Sequence, residues 1–325
     1  MSEEDFRSCV ERYRAVLDHA LGARLKGILG GLFDEKPSVL ASLLSEGKKI
    51  RGCLTCLIGE ALGASLDSLI PRAIAIEMIQ AASLIHDDFI DQDRVRRGHP
   101  AVWTVEGPRK AVLVGDVIFA TAIAMMSETG RDDGLAAARA IALVSAGALR
   151  EPLNHGDLAP LVSHLSGRNG VYDKIIRLKT GVLFGAACEL GAIAASGSNR
   201  VREAARQYGL RMDEAYQIAD DLKEVKAYVS QGFARPEQVV AMAPALLHFA
   251  DTSGPRILRF LEQGDPEESD ALLDLMIAVQ RPMEEEIKAR LRFAIREIDE
   301  CFPAYGAGRL VREAPWYAIS LFNET

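Results

Sequence analysis

The sequence predicts an all-α protein, folded as a single-domain bundle of about ten or more helices. Long segments repeat apolar residues at three- and four-residue spacing, whereas alternating β-type patterns are scarce. Turn-forming residues cluster between these segments, for example over 30–37, 98–108 and 196–199. No long linker, low-complexity tract or internal repeat divides the chain, so we expect one domain over residues 1–325.

The apolar periodicity gives the individual helices. It predicts helices over 3–30, 37–45, 49–63, 67–91, 108–127, 133–150, 169–195, 200–227, 236–263 and 267–303, with a short helix near 306–322. The segment from Ala73 to Ile90 is apolar on nearly all sides, which is typical of a helix surrounded by other helices. Polar groups at the end of that helix would therefore lie at the mouth of the core.

The composition excludes several classes of protein. Hydrophobic residues make up 49% and charged residues 26%, as in ordinary globular chains and unlike disordered ones. The net charge of −8 argues against a general nucleic-acid-binding surface. No stretch of 18 or more uncharged apolar residues is present and the first residues are charged, so we expect no membrane span and no leader peptide.

The cysteines indicate a cytoplasmic protein. The chain has five, an odd number scattered along the sequence, which favours reduced thiols over a disulfide framework. Cys53 and Cys56 form a C-x-x-C pair, but no second Cys or His pair stands at zinc-finger spacing. We therefore expect these two thiols to lie in the core.

The strongest chemical signal is the sequence Asp87-Asp88-Phe89-Ile90-Asp91, a D-D-x-x-D at the end of the apolar helix. In a helix Asp87 and Asp91 lie one above the other on one face, with Asp88 beside them. Mg²⁺ is held by one or two carboxylates together with waters and phosphate oxygens, so this first acidic cluster suits Mg²⁺. Taken alone, the pattern is as compatible with an acidic, solvated helix end.

Two further groups extend the signal toward a diphosphate site. Arg96 and Arg97 follow shortly after, and arginine presents a planar fork that matches phosphate oxygens. A second acidic cluster, Asp220, Asp221 and Glu224, ends another predicted helix, with Gln217 one turn earlier on nearly the same face. Two such clusters that face each other could share metal ions through one diphosphate.

Two basic elements are weaker signals. The turn Gly47-Lys48-Lys49-Ile50-Arg51-Gly52 would, taken alone, usually be just solvated. Lys179 and Thr180 lie within an apolar predicted helix. A lysine among so many apolar neighbours either extends to water or meets an anion, and the two outcomes are about equally expected.

These pieces resemble one family. In order and spacing, GKKIRG, SLIHDDFIDQDRVRRGHP, VLVGDVIFA, IIRLKTGVLFGAACELGAI and YQIADDLKEV are similar to the trans-isoprenyl diphosphate synthases from about Gly47 to Val225. The resemblance implies helices around a central cavity, as in the isoprenoid synthase fold, and a homodimer. It also implies an Mg²⁺-dependent condensation of an allylic diphosphate with isopentenyl diphosphate to a longer all-trans polyprenyl diphosphate.

The resemblance also implies roles for individual residues. Three Mg²⁺ ions would be held by the two acidic clusters, with Asp87, Asp91, Asp220, Asp221 and Glu224 as ligands and Asp88 as part of the first motif. Isopentenyl diphosphate would meet Lys48, Arg51, Gln80 and Arg97. The allylic diphosphate would meet Arg96, Lys179, Thr180 and Gln217. The charges that promote ionisation would come from Asp87, Asp88, Asp91, Arg96, Lys179 and Asp220, and Asp116 would be a buried structural acid.

Some positions depart from the family pattern. Glu46 and Gly52 stand where the basic turn usually has Gly and Pro, and Gln80 stands where many relatives have His. Glu224 replaces the third Asp of the second motif. The lysines that usually follow that motif are absent, and the candidates to replace them are Lys223, Lys226 and Arg235.

The residues just before the first acidic cluster predict the product length. Ala82 and Ser83 are small where relatives with shorter products place aromatics, and Ile79 deeper on the helix has only moderate bulk. The growing tail could therefore pass them, so we expect a product of twenty carbons or more. The alternative is that these small residues serve close helix packing.

Two other functions share part of this pattern. A terpene cyclase also has an Asp-rich helix and metal-triggered ionisation, but it has no second diphosphate for Lys48, Arg51 and Arg97 to hold. A non-catalytic partner subunit of a synthase is disfavoured by intact acids at both clusters, while the missing lysines favour it.

Overall fold

The computed structural model describes residues 5–29, 47–150, 170–232, 236–250, 253–263 and 266–320. Within them the chain forms thirteen α-helices and one two-stranded hairpin, which confirms the predicted all-α class. The helices of the first half are α1 Phe6–Leu29, α2 Ile50–Ala61, α3 Leu66–Ile90, α4 Val102–Glu106, α5 Pro108–Thr129 and α6 Arg131–Ala148. Those of the second half are α7 Val171–Ile176, α8 Val182–Ala194, α9 Asn199–Gln231, α10 Pro236–Phe249, α11 Gly254–Gln263, α12 Pro266–Ile298 and α13 Ala307–Ser320.

Local sequence signals set several helix ends. Pro108 begins α5, where its missing N–H costs no intrahelical bond. Ser198 precedes α9, and its side chain accepts a hydrogen bond of 3.4 Å from the Val201 N–H. Gly232 ends α9 with φ of 74°, a left-handed conformation that glycine adopts at little cost.

The helices enclose two hydrophobic clusters. The larger lies among α1, α2, α3, α5, α6, α8 and the first half of α9, and is closed by the end of α12 and by α13. The smaller lies among α7, the second half of α9, α10, α11 and α12. Because α9 contributes Tyr208 and Met212 to the first and Ile218 and Leu222 to the second, it joins the two.

Helix α3 is the central helix that its sequence predicts. Most of its residues are buried, including the run from Arg72 to Ile76. Arg72 is itself paired, since its Nε and Nη2 donate to the two carboxylate oxygens of buried Asp133 on α6 at 2.6 and 3.1 Å. A buried bidentate pair of this kind satisfies both charges and fixes α3 against α6.

The structure corrects three details of the predicted elements. The helix predicted over 236–263 is two helices, because Gly254 and Pro255 begin a new one and proline cannot continue the preceding hydrogen-bond ladder. The helix predicted over 169–195 contains a π-helical turn, Arg177–Gly181, between α7 and α8. The turn region predicted over 98–108 contains the second strand of a hairpin, Val95–Arg96 with His99–Pro100, followed by α4. The helix predicted over 37–45 lies outside the described residues.

Two helices are long and apolar enough, by length and composition alone, to cross a membrane. In α3, 67% of the most apolar window is buried among the other helices, and in α5 the share is 39%. A core helix passes the same test, so the two are weak evidence for a span, and the expectation that none exists stays a prediction. All five cysteines are free, and Cys53 and Cys56 are buried as expected.

Candidate active site

The first acidic cluster lies where α3 ends, and its three carboxylates have different environments. Asp88 is buried, with 1% of its surface exposed, whereas Asp87 is half-buried and Asp91 is exposed at the helix end. Arg96, on the hairpin that follows, donates through Nε to Oδ1 of Asp88. Oδ2 of Asp88 is buried and has no hydrogen-bond partner among the described residues. The middle carboxylate is therefore anchored within the protein, and the outer two are more accessible.

The charge of Asp88 depends on Arg96. Burial raises the pKa of Asp88, and the neighbouring guanidinium of Arg96 offsets part of that rise. Arg97 lowers the same pKa more weakly. The two arginines predicted to meet diphosphates thus also stabilise the acid at the end of α3.

The second acidic cluster lies along α9 and is anchored differently. Asp221 accepts hydrogen bonds from the Tyr172 hydroxyl at 2.5 Å and from Gln217 Nε2 at 2.9 Å. Asp220 is half-buried, and burial raises its pKa while Lys223 and Lys48 lower it. Glu224 is exposed, with the Tyr228 hydroxyl at 3.5 Å. Here Asp221 is the internal anchor, held by neutral donors.

A cleft of about 590 Å³ opens between α1, α2, α3 and α9. The name basic cleft is used for it because five of its lining residues are cationic and one, Glu77, is acidic. Its lining is Arg14, Leu21, Gly47, Lys48, Lys49, Ile50, Arg51, Glu77, Gln80, Ala81, Leu84, Arg97 and Tyr216. The structure thus brings together all four residues that the resemblance assigns to isopentenyl diphosphate: Lys48, Arg51, Gln80 and Arg97.

Two residues of the basic cleft have left-handed backbone conformations that non-glycine residues rarely adopt. Lys49 has φ of 47° and Arg97 has φ of 51°. Each costs about 1 kcal/mol or more and persists only where the surroundings enforce it. Gly47 lets the Arg97 guanidinium approach closely, since a Cβ there would lie 3.0 Å from Nη1. Such strained backbone conformations are typical of functional sites, where side chains must be held in one orientation.

Arg51 has a donor that the protein leaves without a partner. Its guanidinium lies over the Phe184 ring, 4.6 Å from the centroid. Its Nε is buried and has no hydrogen-bond acceptor among the described residues. A buried guanidinium N–H without an acceptor is costly, so an anionic ligand in the basic cleft is the natural partner.

Glu77 explains why this chain can have glycine at position 52. The Gly52 N–H donates to Glu77 Oε1 at 2.8 Å, a bond that proline could not make. Burial raises the pKa of Glu77, while this hydrogen bond, Arg51, Lys49 and Arg97 lower it. Glu77 therefore ties the basic turn to α3.

Shared neighbours connect the basic cleft to both acidic clusters. Arg97 acts electrostatically on Asp88, on Glu77 and on Tyr216. Burial raises the pKa of Tyr216, Arg51 lowers it, and Asp220 raises it further. Lys48, which also lines the basic cleft, lowers the pKa of Asp220. Both acidic clusters therefore adjoin the basic cleft.

The carboxylates fit divalent ions bridged by a substrate rather than a closed protein site. Among the described residues, no three His, Cys, Asp or Glu side chains converge on one point. Mg²⁺ commonly takes one or two carboxylates and completes its shell with water and phosphate oxygens. The exposed carboxylate of Asp91, the half-buried carboxylate of Asp87, and Oδ2 of Asp88, which has no hydrogen-bond partner among the described residues, are oxygen donors of that kind.

The structure also describes the residues predicted to set the product length, and the backbone of two residues predicted to meet the allylic diphosphate. Ala82 and Ile79 are fully buried in the larger cluster, and buried Ser83 donates to the Gln80 carbonyl at 2.9 Å. The side chains of Lys179 and Thr180 lie outside the described part, although their backbone forms the π-helical turn. Turns of this type occur frequently at functional sites.

One expectation is wrong. Asp116 was expected to be a buried acid, but 60% of its side chain is exposed, and its Oδ1 lies 3.7 Å from Nε2 of His86. The reason is that α5 presents its Val112, Leu113 and Asp116 face to solvent in this chain.

The described candidates to replace the missing lysines lie at different distances from the second acidic cluster and have different partners. Lys226 pairs with Glu284 on α12 at 2.8 Å, away from the acids. Lys223 lies close enough to Asp220 to lower its pKa. Arg235 lies outside the described residues. Lys223 is therefore the described candidate that adjoins the site.

The sequence pattern missed several residues of the site. Glu77 is one helical turn from Gln80, and Tyr216 precedes Gln217, so helix spacing could have found both. Arg14 is distant in sequence from every motif, and Tyr172 lies just before the segment that contains Lys179 but 49 residues before Asp221, so no local signal links either residue to the site.

Comparisons with known proteins agree on one family. The family model for polyprenyl synthetases matches residues 37–231. The short chain isoprenyl diphosphate synthase of Methanothermobacter thermautotrophicus is 32% identical over 67% of this chain and 69% of its own. The geranylgeranyl diphosphate synthase of Methanosarcina mazei is 29% identical over 56% of each chain. A farnesyl diphosphate synthase of Mycobacterium bovis is 36% identical over 54% of this chain and 48% of its own.

The matched segments thus span about half the length of the last two relatives. Among solved structures, polyprenyl synthase from Caulobacter crescentus, complexed with calcium and isoprenyl diphosphate, superposes with a TM-score of 0.72. It is 25% identical, and the match covers 98% of both chains.

Proposed function

Since the chain belongs to the polyprenyl synthetase family, we propose that it is a trans-prenyltransferase. It condenses an allylic diphosphate with isopentenyl diphosphate and gives a longer all-trans polyprenyl diphosphate. The observation that carries this proposal is the basic cleft beside two acidic clusters. The cleft leaves a buried Arg51 N–H without an acceptor, and the first acidic cluster leaves a buried Asp88 oxygen without a donor, among the described residues.

In this proposal the basic cleft holds isopentenyl diphosphate. Lys48, Arg51 and Arg97 supply positive charge, and the Gln80 amide supplies a neutral donor. Arg51 is held in position by the Phe184 ring, and Glu77 holds the turn that carries it. The diphosphate would accept the orphaned Arg51 N–H.

The two acidic clusters serve the allylic diphosphate. Asp87, Asp91, Asp220, Asp221 and Glu224 would hold divalent ions, three Mg²⁺ by the resemblance, and when bound these ions supply Lewis-acid stabilisation of the leaving diphosphate. Asp88 orients Arg96, so that its remaining N–H groups can meet the diphosphate. Lys179 and Thr180 on the π-helical turn, with Gln217, complete the allylic side.

The reaction needs no side-chain nucleophile. Arg96 and Lys179 stabilise the negative charge that develops as the allylic C–O bond breaks. The double bond of isopentenyl diphosphate then attacks the allylic carbon, and a proton leaves toward the released diphosphate.

We place the product at twenty carbons or more. Ala82 and Ser83 are small, and one similar protein is a geranylgeranyl diphosphate synthase, although another is a farnesyl diphosphate synthase. The Ala82→Phe variant should give a shorter product, because the ring would block the path of the tail beside Asp87. Overpacking costs about 1–3 kcal/mol, so circular dichroism must first establish that the variant is folded. Ala82→Val is the matched smaller change, and an unchanged product length in folded Ala82→Phe would contradict the proposal.

A homodimer is the proposed assembly. Helices α5 and α6 expose large apolar side chains, among them Val112, Leu113, Leu135 and Leu143, with Leu113 52% exposed. A second copy is the partner that the family resemblance implies for such a face. Light scattering measures the mass directly, and a monomer at micromolar concentration would refute the dimer. A cytoplasmic location stays a prediction that rests on the cysteines.

One assay tests the whole proposal. The protein is incubated with isopentenyl diphosphate, several allylic diphosphates and Mg²⁺, and the products are read by mass spectrometry, with chelator as control. Elongated diphosphates that disappear with chelator support the proposal. Cyclised hydrocarbons would instead identify a terpene cyclase, and no turnover would leave a partner subunit as the better explanation.

A further inference from the structure

The basic cleft contains a cation that no motif supplies. Arg14 lies on α1, before the residues 37–231 that the family model matches, yet it lines the cleft together with Lys48, Arg51 and Arg97. We propose that Arg14 is an additional substrate-binding residue that contacts the diphosphate in this cleft. This inference rests on the proposed function, because it takes the ligand to be isopentenyl diphosphate.

The first argument is that no described residue pairs with the charge of Arg14. Its guanidinium makes no hydrogen bond or ion pair with any other described residue, although other cations nearby are paired. Arg12 on the same helix donates to Glu60 at 3.0 Å, and Lys49 in the same cleft pairs with Asp18 on α1. Among the described residues no carboxylate pairs with Arg14, so within this part of the chain it adds to the positive potential of the cleft.

The second argument is the charge balance of the cleft. A terminal phosphate has a second pKa of about 6, so a diphosphate carries at least about two negative charges at neutral pH. Among the lining residues, Glu77 opposes the positive charges of Lys48, Arg51 and Arg97. The positive charge of Arg14 offsets the negative charge of Glu77 in the lining of the cleft. It approaches from α1, whereas the other three come from the basic turn and the hairpin, so the anion would be held from an additional side.

The third argument is that Arg14 sits on a rigid support. Tyr13 and Leu17, on either side of it, are each only 1% exposed and pack in the larger hydrophobic cluster. Lys49 also pairs with Asp18, one turn further along α1, which ties the helix to the basic turn. Arg14 is itself exposed, so its replacement should leave the fold intact.

The experiment compares Arg14→Ala, Arg14→Lys and Arg24→Ala with the wild type. Arg24 is the matched control, since it is also exposed on α1 but lines a different cavity with Pro71 and Glu128. Arg14→Ala should raise KM for isopentenyl diphosphate about five- to tenfold, with kcat and the KM of the allylic substrate changed less than about twofold. Arg14→Lys should recover part of the affinity, and Arg24→Ala should behave as wild type. The effect of Arg14→Ala should shrink in high salt, where exposed charges are screened.

Calorimetry with isopentenyl diphosphate alone separates this inference from the proposed function. If the wild type does not elongate but binds isopentenyl diphosphate more tightly than Arg14→Ala does, the binding role of Arg14 stands and the enzymatic proposal fails. An unchanged KM or Kd in Arg14→Ala, an equal loss for both substrates, an equal loss in Arg24→Ala, or a wild type that does not bind this diphosphate would each overturn the inference.

Discussion

The two acidic clusters have the same spacing but are held by different chemistry. In the first, the buried carboxylate of Asp88 is paired with a charged guanidinium, Arg96, which follows only eight residues later. In the second, Asp221 is held by the neutral donors Tyr172 and Gln217, and Tyr172 comes from a helix 49 residues earlier. Each cluster therefore uses one acid as an internal anchor. The donors differ: a charged guanidinium bonds Asp88, and a hydroxyl and an amide bond Asp221.

The carboxylates of the two clusters also differ in exposure. Asp88 is buried and bonded to Arg96, whereas Asp91 and Glu224 are exposed and Asp87, Asp220 and Asp221 are half-buried. Unpaired buried charge is costly, so breaking the charged anchor should cost more stability than breaking the neutral one. Variants at the two anchors test that expectation.

The largest effect is expected for Arg96→Ala. The variant leaves the Asp88 carboxylate buried without the guanidinium of Arg96, and the pKa of Asp88 should rise further because that guanidinium lowers it. Arg96 is 26% exposed, so we expect a loss of about 2–3 kcal/mol in the free energy of unfolding at pH 7, less than for a fully buried pair. Urea unfolding measures the loss, and exposed Arg109→Ala serves as the control.

A double variant sharpens the interpretation of Arg96→Ala. Asn at position 88 has no charge to compensate, so Asp88→Asn combined with Arg96→Ala should regain part of the lost stability. If Arg96→Ala unfolds within about 0.5 kcal/mol of the wild type, the charged anchor makes no measurable contribution and the contrast between the clusters disappears.

A smaller loss is expected for Tyr172→Phe. Phenylalanine keeps the ring that packs on His248 and Phe249 but removes the hydroxyl that donates to Asp221. The loss should be about 1.5 kcal/mol, since Gln217 still donates to the other oxygen of Asp221. Because the Asp221 carboxylate would no longer be held in position, the variant should also need a higher Mg²⁺ concentration for half-maximal activity.

Tyr228→Phe is the matched control within the second cluster. Its hydroxyl lies 3.5 Å from the exposed carboxylate of Glu224, at the limit of a hydrogen bond, so its removal should have almost no effect. Equal losses in the two variants would show that the Tyr172 hydroxyl contributes no more to stability than the Tyr228 hydroxyl does.

The contrast between the clusters also shows what the sequence could predict. Helix geometry fixes which residues share a face, so the pairs Asp87 with Asp91 and Asp220 with Glu224 follow from spacing alone, as does the central position of α3. Tyr172 and Arg14 could not be found in this way, because packing between distant helices decides what they contact. The exposure of Asp116 could not be predicted either, since it depends on how much of α5 the neighbouring helices cover.

The sequence also predicted three of the cationic residues that line the basic cleft, but not the backbone conformations and the hydrogen bond that hold them in place. Lys48, Arg51 and Arg97 were expected there, but the left-handed backbone at Lys49 and Arg97 and the bond from Gly52 to Glu77 depend on tertiary contacts. The break between α10 and α11 was signalled by Gly254 and Pro255, although the apolar periodicity ran through it.

The smallest effect should be a gain of stability in Asp220→Asn. Burial raises the pKa of Asp220 in the folded protein above its ordinary value. The folded state therefore holds this proton more tightly than the unfolded state, and stability falls as the pH rises through the folded pKa and the buried group becomes charged. Asparagine stays neutral, so in the metal-free protein the variant should be more stable than the wild type by about 1 kcal/mol at pH 7. The gain should vanish as the pH falls below the ordinary pKa of aspartate.

Unfolding experiments with chelator across this pH range measure the gain, and Glu224→Gln on the same helix is the exposed control. The same Asp220→Asn protein should lose elongation activity by at least about a hundredfold, because a divalent ion would lose a charged ligand. A more stable but inactive variant would mean that the second cluster keeps a destabilising charge for ligand binding. A less stable variant at pH 7 would mean instead that Asp220, like Asp88, is compensated by its neighbours, Lys223 and Lys48, and that both clusters are neutralised by cations.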